Sequence, residues 1–131
     1  MSDRPTLVAP PPPELLDDAD FPHEGLDVYE TLEAAYRAVT AWQGVSWSRG
    51  TTGDQLRRAL SGAILRYAEG YYADGGNKRV LWKSARASCG EAATAVRVLA
   101  IEGRAPEEEA AEARRLLSRA MRMLARLIRP R

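Results

Sequence analysis

From residue 26 onward, apolar side chains recur at intervals of three and four. This is the spacing of amphipathic helices, and no stretch alternates over the length of a strand. Four helices are predicted. The first spans about residues 26–42, with Tyr29, Leu32, Tyr36 and Val39 on one stripe and Gly44 as its stop. The second spans about 52–72, with Leu56, Leu60, Ala63, Ile64 and Tyr67. Thr52-Gly53-Asp54-Gln55 at its start reads as a capping box, in which hydroxyl and amide side chains satisfy exposed backbone groups reciprocally. Asp74-Gly75-Gly76-Asn77 then predicts a turn. The third helix spans about 78–101 and ends at Gly103; its stripe of Leu81, Ala85, Ser88, Ala92, Val96 and Leu99 is rich in small residues that let a neighbour approach closely. Gly62 and Gly90 lie inside helices, where glycine costs about 1 kcal/mol relative to alanine, and a tight crossing is expected at each.

The fourth helix opens at Pro106, with Glu107, Glu108, Glu109 and Glu112 near its start and Arg122, Arg126 and Arg129 near its end. Both groups suit the helix dipole. It carries two adjacent apolar rows. Leu116, Ala120, Met123 and Leu127 form one; Leu117, Met121, Leu124 and Ile128 form the other. One bundle core needs a narrower stripe, so the second row is expected to form an interface between subunits. Four helices with short connections predict an all-α, up-down-up-down antiparallel four-helix bundle over residues 25–131.

Residues 1–24 differ from this body. Pro5 and Pro10 to Pro13 favour an extended polyproline conformation. Arg4 stands there against Asp3, Glu14, Asp17, Asp18, Asp20 and Glu24, one cation against six carboxylates, or −5. The chain total is +1, so the remainder carries +6. A near-neutral total thus hides a proline-rich acidic tail on a basic body. His23, in that tail, is expected to be exposed.

Composition narrows the function classes. At 131 residues the chain is one domain with room for a core. A single histidine and the single cysteine Cys89 argue against zinc sites, histidine-based triads, di-iron bundles and internal disulfides. Cys89 is expected as a small buried filler. No cofactor is expected. The opening residues lack a signal-peptide pattern and no stretch approaches the about 20 apolar residues of a membrane span, so a cytoplasmic protein without membrane contact is expected.

Three stretches resemble a known family. Gln55-Leu56-Arg57-Arg58-Ala59 is followed by Tyr67-Ala68-Glu69-Gly70 and then by Ala85-Arg86-Ala87-Ser88-Cys89-Gly90-Glu91. They resemble motifs of the bacterial four-helix-bundle family first named for reading frames inside 23S rRNA intervening sequences, as does the opening Leu26-Asp27-Val28-Tyr29. The resemblance covers about residues 26–129. Arg66 stands where the family usually has asparagine, Ile64 where it often has proline, and Ala87 where glycine is common. The resemblance implies a bundle that assembles into a ring-like homo-pentamer. The same fold occurs in an accessory protein of diversity-generating retroelements, which binds a reverse transcriptase and nucleic acid.

Two surfaces are candidates. Gln55, Arg58, Gly62, Arg66 and Glu69 share one face of the second helix, and Arg79, Lys83, Arg86, Gly90 and Arg97 share one face of the third. With Arg57 they are expected to form one basic strip for RNA or DNA phosphates, or a solvated face. The motif positions Gln55, Glu69, Gly70, Ser88 and Glu91 are expected to be structural, setting helix register through caps and ion pairs. Trp42, Trp47, Trp82, Tyr71 and Tyr72 read as core or interface packing. The leading functional expectation is a non-enzymatic homo-oligomer that recruits a protein partner. The alternative is a nucleic-acid-binding accessory factor.

Overall fold

The computed structural model describes residues 21–129. Four α-helices follow a short 3-10 turn at Pro22–Gly25: α1 Asp27–Thr40, α2 Thr52–Tyr71, α3 Gly75–Ile101 and α4 Glu107–Ile128. Each helix packs on the next, and α1 closes the ring against α4. The guanidinium of Arg79, near the start of α3, donates to the carbonyl of Ile128 at the end of α4, 2.6 Å away. That bond fixes the two helices antiparallel. The expected up-down-up-down bundle is the fold.

Its core is built from leucine and alanine. Leu32, Leu56, Leu60, Leu99, Leu117 and Leu124 are fully buried, and Ala85, Cys89, Ala92, Ala113 and Ala120 are fully buried in the same cluster. Burial pushes the Cys89 thiol up to about 12, so it stays an unreactive filler at neutral pH.

Helix ends follow local chemistry, with shifts from the sequence reading. The N-cap of α2 is Thr51, not Thr52: its hydroxyl accepts from the Asp54 amide at 3.2 Å. The Asp54 carboxylate then accepts from the Gly50 amide at 3.1 Å and from Arg57 at 2.9 Å. Thr51 and Asp54 thus form the cap, with the carboxylate on the amide one residue before the N-cap, and Gln55 is left exposed. At the other end of the bundle α3 begins three residues early, because Gly75, Gly76 and Asn77 form its first turn. Gly103 does stop α3. It takes φ +74°, its amide reaches the Ala100 carbonyl, and the Arg104 amide reaches Leu99. This is the Schellman arrangement, which needs a left-handed residue. Gly44 lies beyond the end of α1, with its Cα so close to the Arg104 carbonyl that a Cβ would sit 2.6 Å from that oxygen.

The Asp54 carboxyl is held below its ordinary range, first by the Gly50 amide and then by Arg57 and Arg58, against the opposing effect of burial. A depressed folded-state value means a contribution to stability present above about pH 4, the unfolded carboxyl value, and lost as pH falls through the folded one. Asp54→Asn is therefore expected to lower the thermal midpoint at pH 7 by more than at pH 3. Equal losses at both pH values would contradict the ion pairing.

Three further expectations change. Leu117, Leu124 and Ile128, assigned to a subunit interface, are buried in the chain's own core, and Met121 is partly buried beside α3. The row that keeps a surface is the other one, where Leu116 and Met123 are half-buried and Leu127 is exposed. His23 is buried rather than exposed. Its ring stands edge-on to Tyr29 and Tyr72, and its Nδ1 lies 3.0 Å from the Tyr72 hydroxyl. Phe21 to Glu24 thus join the body, while the rest of the acidic tail lies outside the described residues.

Gly62 and Gly90 are not tight crossings. A Cβ at Gly62 would meet only the mobile end of Arg66, and one at Gly90 would rest 3.7 Å from the Met121 methyl. The close approach is at Gly70. A Cβ there would lie 2.6 Å from both Cδ1 and Nε1 of Trp82. That opening lets the Trp82 indole stack on Tyr67 and donate to the Tyr67 carbonyl at 3.1 Å. A buried indole N–H needs such a partner. Burial, with Tyr71 alongside, pushes the Tyr67 phenol up to about 12. A side chain at position 70 would push the Trp82 ring out of that stack.

Candidate nucleic-acid interface

Where the basic rows lie depends on which helix flanks each of them. Gly70 against Leu81 and Trp82 sets the α2–α3 seam. On α3, Arg79, Lys83, Arg86, Gly90, Ala93 and Arg97 repeat by three and four and so share one row. Four of these six touch α4 or share a cavity with it. Arg79 bonds the α4 terminus, Gly90 abuts Met121, Ala93 shares a cavity with Arg114, Arg115 and Ser118, and Arg97 shares another with Arg114. Lys83 and Arg86, in the same row and exposed, lie on that seam too.

The expected single strip across α2 and α3 is therefore two separate surfaces. Arg58, Arg66 and Glu69 are exposed on α2, and the exposed ridge of Val80, Ala87, Glu91 and Thr94 on α3 stands between them and the α3 row. Arg57 is half-buried and paired with Asp54. Arg58 lies 3.9 Å from the same carboxylate. Glu69 and Glu91 are exposed, and among the described residues neither has a cation within 4.0 Å. The ion pairs expected of these two motif positions are absent within the described part of the subunit. Ser88 is half-buried.

The α3 row meets a larger basic surface on α4. Residues 78–90 carry four cations and no carboxylate, and residues 113–129 carry six arginines and no carboxylate. The two acid-free runs are antiparallel neighbours, so their positive charges add along one seam. Arg114, Arg119, Arg122, Arg126 and Arg129 are all exposed. Among the described residues, Arg115 alone of the six is paired with a carboxylate, Glu112 at 2.6 Å. At the end of the bundle Lys78, Arg79, Arg126 and Arg129 surround a cavity of about 460 Å³ floored by Trp82, Leu127 and Ile128. Lys78 sits 5.3 Å over the Trp82 ring.

Sequence reading missed the α4 arginines as a surface, because their placement also suits the helix dipole. The signal was the run of residues 113–129 without an acid, longer than the last turn over which the dipole acts. Chemically the seam offers guanidinium and ammonium donors for phosphate oxygens. Among the described residues, no three His, Cys, Asp or Glu side chains are grouped to hold a metal ion. No helix among them is long and apolar enough to cross a membrane.

No family model matches this chain, and no curated protein matches it. The resemblance to the intervening-sequence family rests on the motif stretches alone. Two of those stretches have structural partners in the bundle, Gly70 with Trp82 and Arg57 with Asp54.

Proposed function

We propose that the chain is a non-enzymatic accessory protein whose α3–α4 face binds the phosphate backbone of RNA or DNA without reading sequence. The observation that carries this reading is the juxtaposition of the two acid-free cationic runs on one seam. Phosphate contacts fix a protein on nucleic acid without sequence information, and each one adds to the salt dependence of binding.

The salt dependence of binding to a short labelled duplex is the test. Four or more phosphate contacts give a slope of log K against log salt of about −3.6 or steeper. No binding at about 50 mM salt, or a slope near −1, would overturn the reading.

A second reading is favoured by the α1–α4 side. Leu116, Met123 and Leu127 leave an apolar row there, continued by the exposed Leu26 at the start of α1. It would serve assembly of the chain with itself, as the family resemblance to ring-forming pentamers implies, and recruitment of a protein partner. Light scattering on the eluting protein tests this. A mass of five subunits supports the ring, and a monomer at micromolar concentration contradicts it. A ring would also repeat the basic seam around the assembly.

A further inference from the structure

The basic cavity at the end of the bundle continues into an apolar one. The second, of about 340 Å³, is lined by Leu26, Val28, Tyr67, Tyr71 and Met123 among others, and shares Trp82, Arg126 and Leu127 with the first. Together they form one groove with an aromatic and aliphatic floor and four cations along one side, Lys78, Arg79, Arg126 and Arg129. Among the described residues, Asp27 is the one carboxylate in its lining.

The chain carries a segment of matching chemistry. Glu14-Leu15-Leu16-Asp17-Asp18-Ala19-Asp20 has four carboxylates, two leucines and no cation. It lies outside the described residues and joins them at Phe21. The groove starts at Leu26 and Asp27, immediately after the turn that Phe21 precedes. Leu15 lies six positions before Phe21, a reach of about 20 Å when extended. No long loop must be closed, so the entropic cost of docking within one chain is small.

We propose that residues 14–20 dock in this groove of their own chain, leucines on the Trp82–Leu127 floor and carboxylates against Lys78, Arg126 and Arg129. The segment then covers one end of the basic seam and competes with nucleic-acid phosphates. The competition, though not the docking, rests on the nucleic-acid reading above. A nucleic acid must displace four local carboxylates held at high effective concentration.

Among the described residues every buried apolar side chain lies at or beyond Val28, so a protein of residues 21–131 keeps all four helices and that core. The test is fluorescence anisotropy of a labelled peptide of residues 11–20 titrated with that shortened protein and with the full chain. The shortened protein is expected to bind the peptide in a salt-sensitive way. K78Q/R126Q/R129Q is expected to weaken that binding at least tenfold, while R126K/R129K keeps it. The full chain, its groove already filled, is expected to bind at least tenfold more weakly than the shortened one. No peptide binding, binding indifferent to the triple substitution, or equal binding by the full chain would overturn the proposal; the last would place the segment elsewhere, on a second copy included. Circular dichroism checks that each variant keeps its helices. A labelled duplex titrated against the same shortened protein separates the two ideas. Peptide binding without duplex binding sinks the nucleic-acid reading and leaves the docking intact, whereas the reverse sinks the docking alone.

Discussion

Leu124→Ala and Leu117→Ala are each expected to destabilise the protein by about 2–5 kcal/mol, the cost of a cavity in a core that cannot fully collapse. Both leucines are wholly shielded from solvent. Leu127→Ala, one row over, is expected to cost less than about 1 kcal/mol, because its side chain is already 45% exposed. The contrast matters because the two rows of α4 differ by one position, a rotation of about 100° around the helix axis. In the present packing Leu117, Leu124 and Ile128 face inward and the arginines Arg122 and Arg126 face out. Denaturant unfolding of the three variants reads this orientation. A Leu127→Ala loss larger than that of Leu124→Ala would mean that α4 is turned, and would move its arginines away from α3.

Gly70→Ala is the second large effect. An alanine in a helix interior gains about 1 kcal/mol over glycine. At this site the new methyl would lie 2.6 Å from the Trp82 ring and 3.3 Å from the Leu81 Cβ. The ring cannot retreat without leaving its stack on Tyr67 and its bond to the Tyr67 carbonyl. Overpacking of this kind costs about 1–3 kcal/mol, so the expected result is a net loss. Gly62→Ala and Gly90→Ala supply the control. Their new methyls meet a mobile guanidinium and a methyl at ordinary contact distance, so each is expected to be neutral or to gain up to about 1 kcal/mol. Chemical denaturation of the three proteins checks the order. A stabilised Gly70→Ala would contradict the close α2–α3 approach, and with it the assignment of the α3 cations to the α4 seam.

Much of the fold was legible because helical periodicity reports which residues share a face. The stripe of α3 and the Gly103 stop were read from spacing and chirality alone. Periodicity does not report which neighbour a face meets. The row from Arg79 to Arg97 was visible, but its placement beside α4 depends on Gly70 drawing Trp82 toward α2. Two equally apolar rows on α4 carried no signal of which faces inward, and the row expected at a subunit interface is the one the chain's own core takes up. The cap was read one residue late, at Thr52, because the adjacent Thr51 carries the same hydroxyl; it is Thr51 that accepts the Asp54 amide, while the Asp54 carboxylate accepts the Gly50 amide. His23 was misread because its partners Tyr29 and Tyr72 are remote in sequence or separated from it by a turn.

The central claim is that nucleic acid meets the α3–α4 seam. Duplex binding by two variants in the shortened protein of residues 21–131 tests it most directly. K83Q/R86Q/R114Q/R122Q removes four exposed cations from the seam, while R58Q/R66Q removes two from α2. The expected result is at least a tenfold loss of affinity at about 100 mM salt for the first, with a shallower salt slope, and near-unchanged affinity for the second. Unchanged binding by the seam variant, or a loss confined to the α2 variant, would contradict the account.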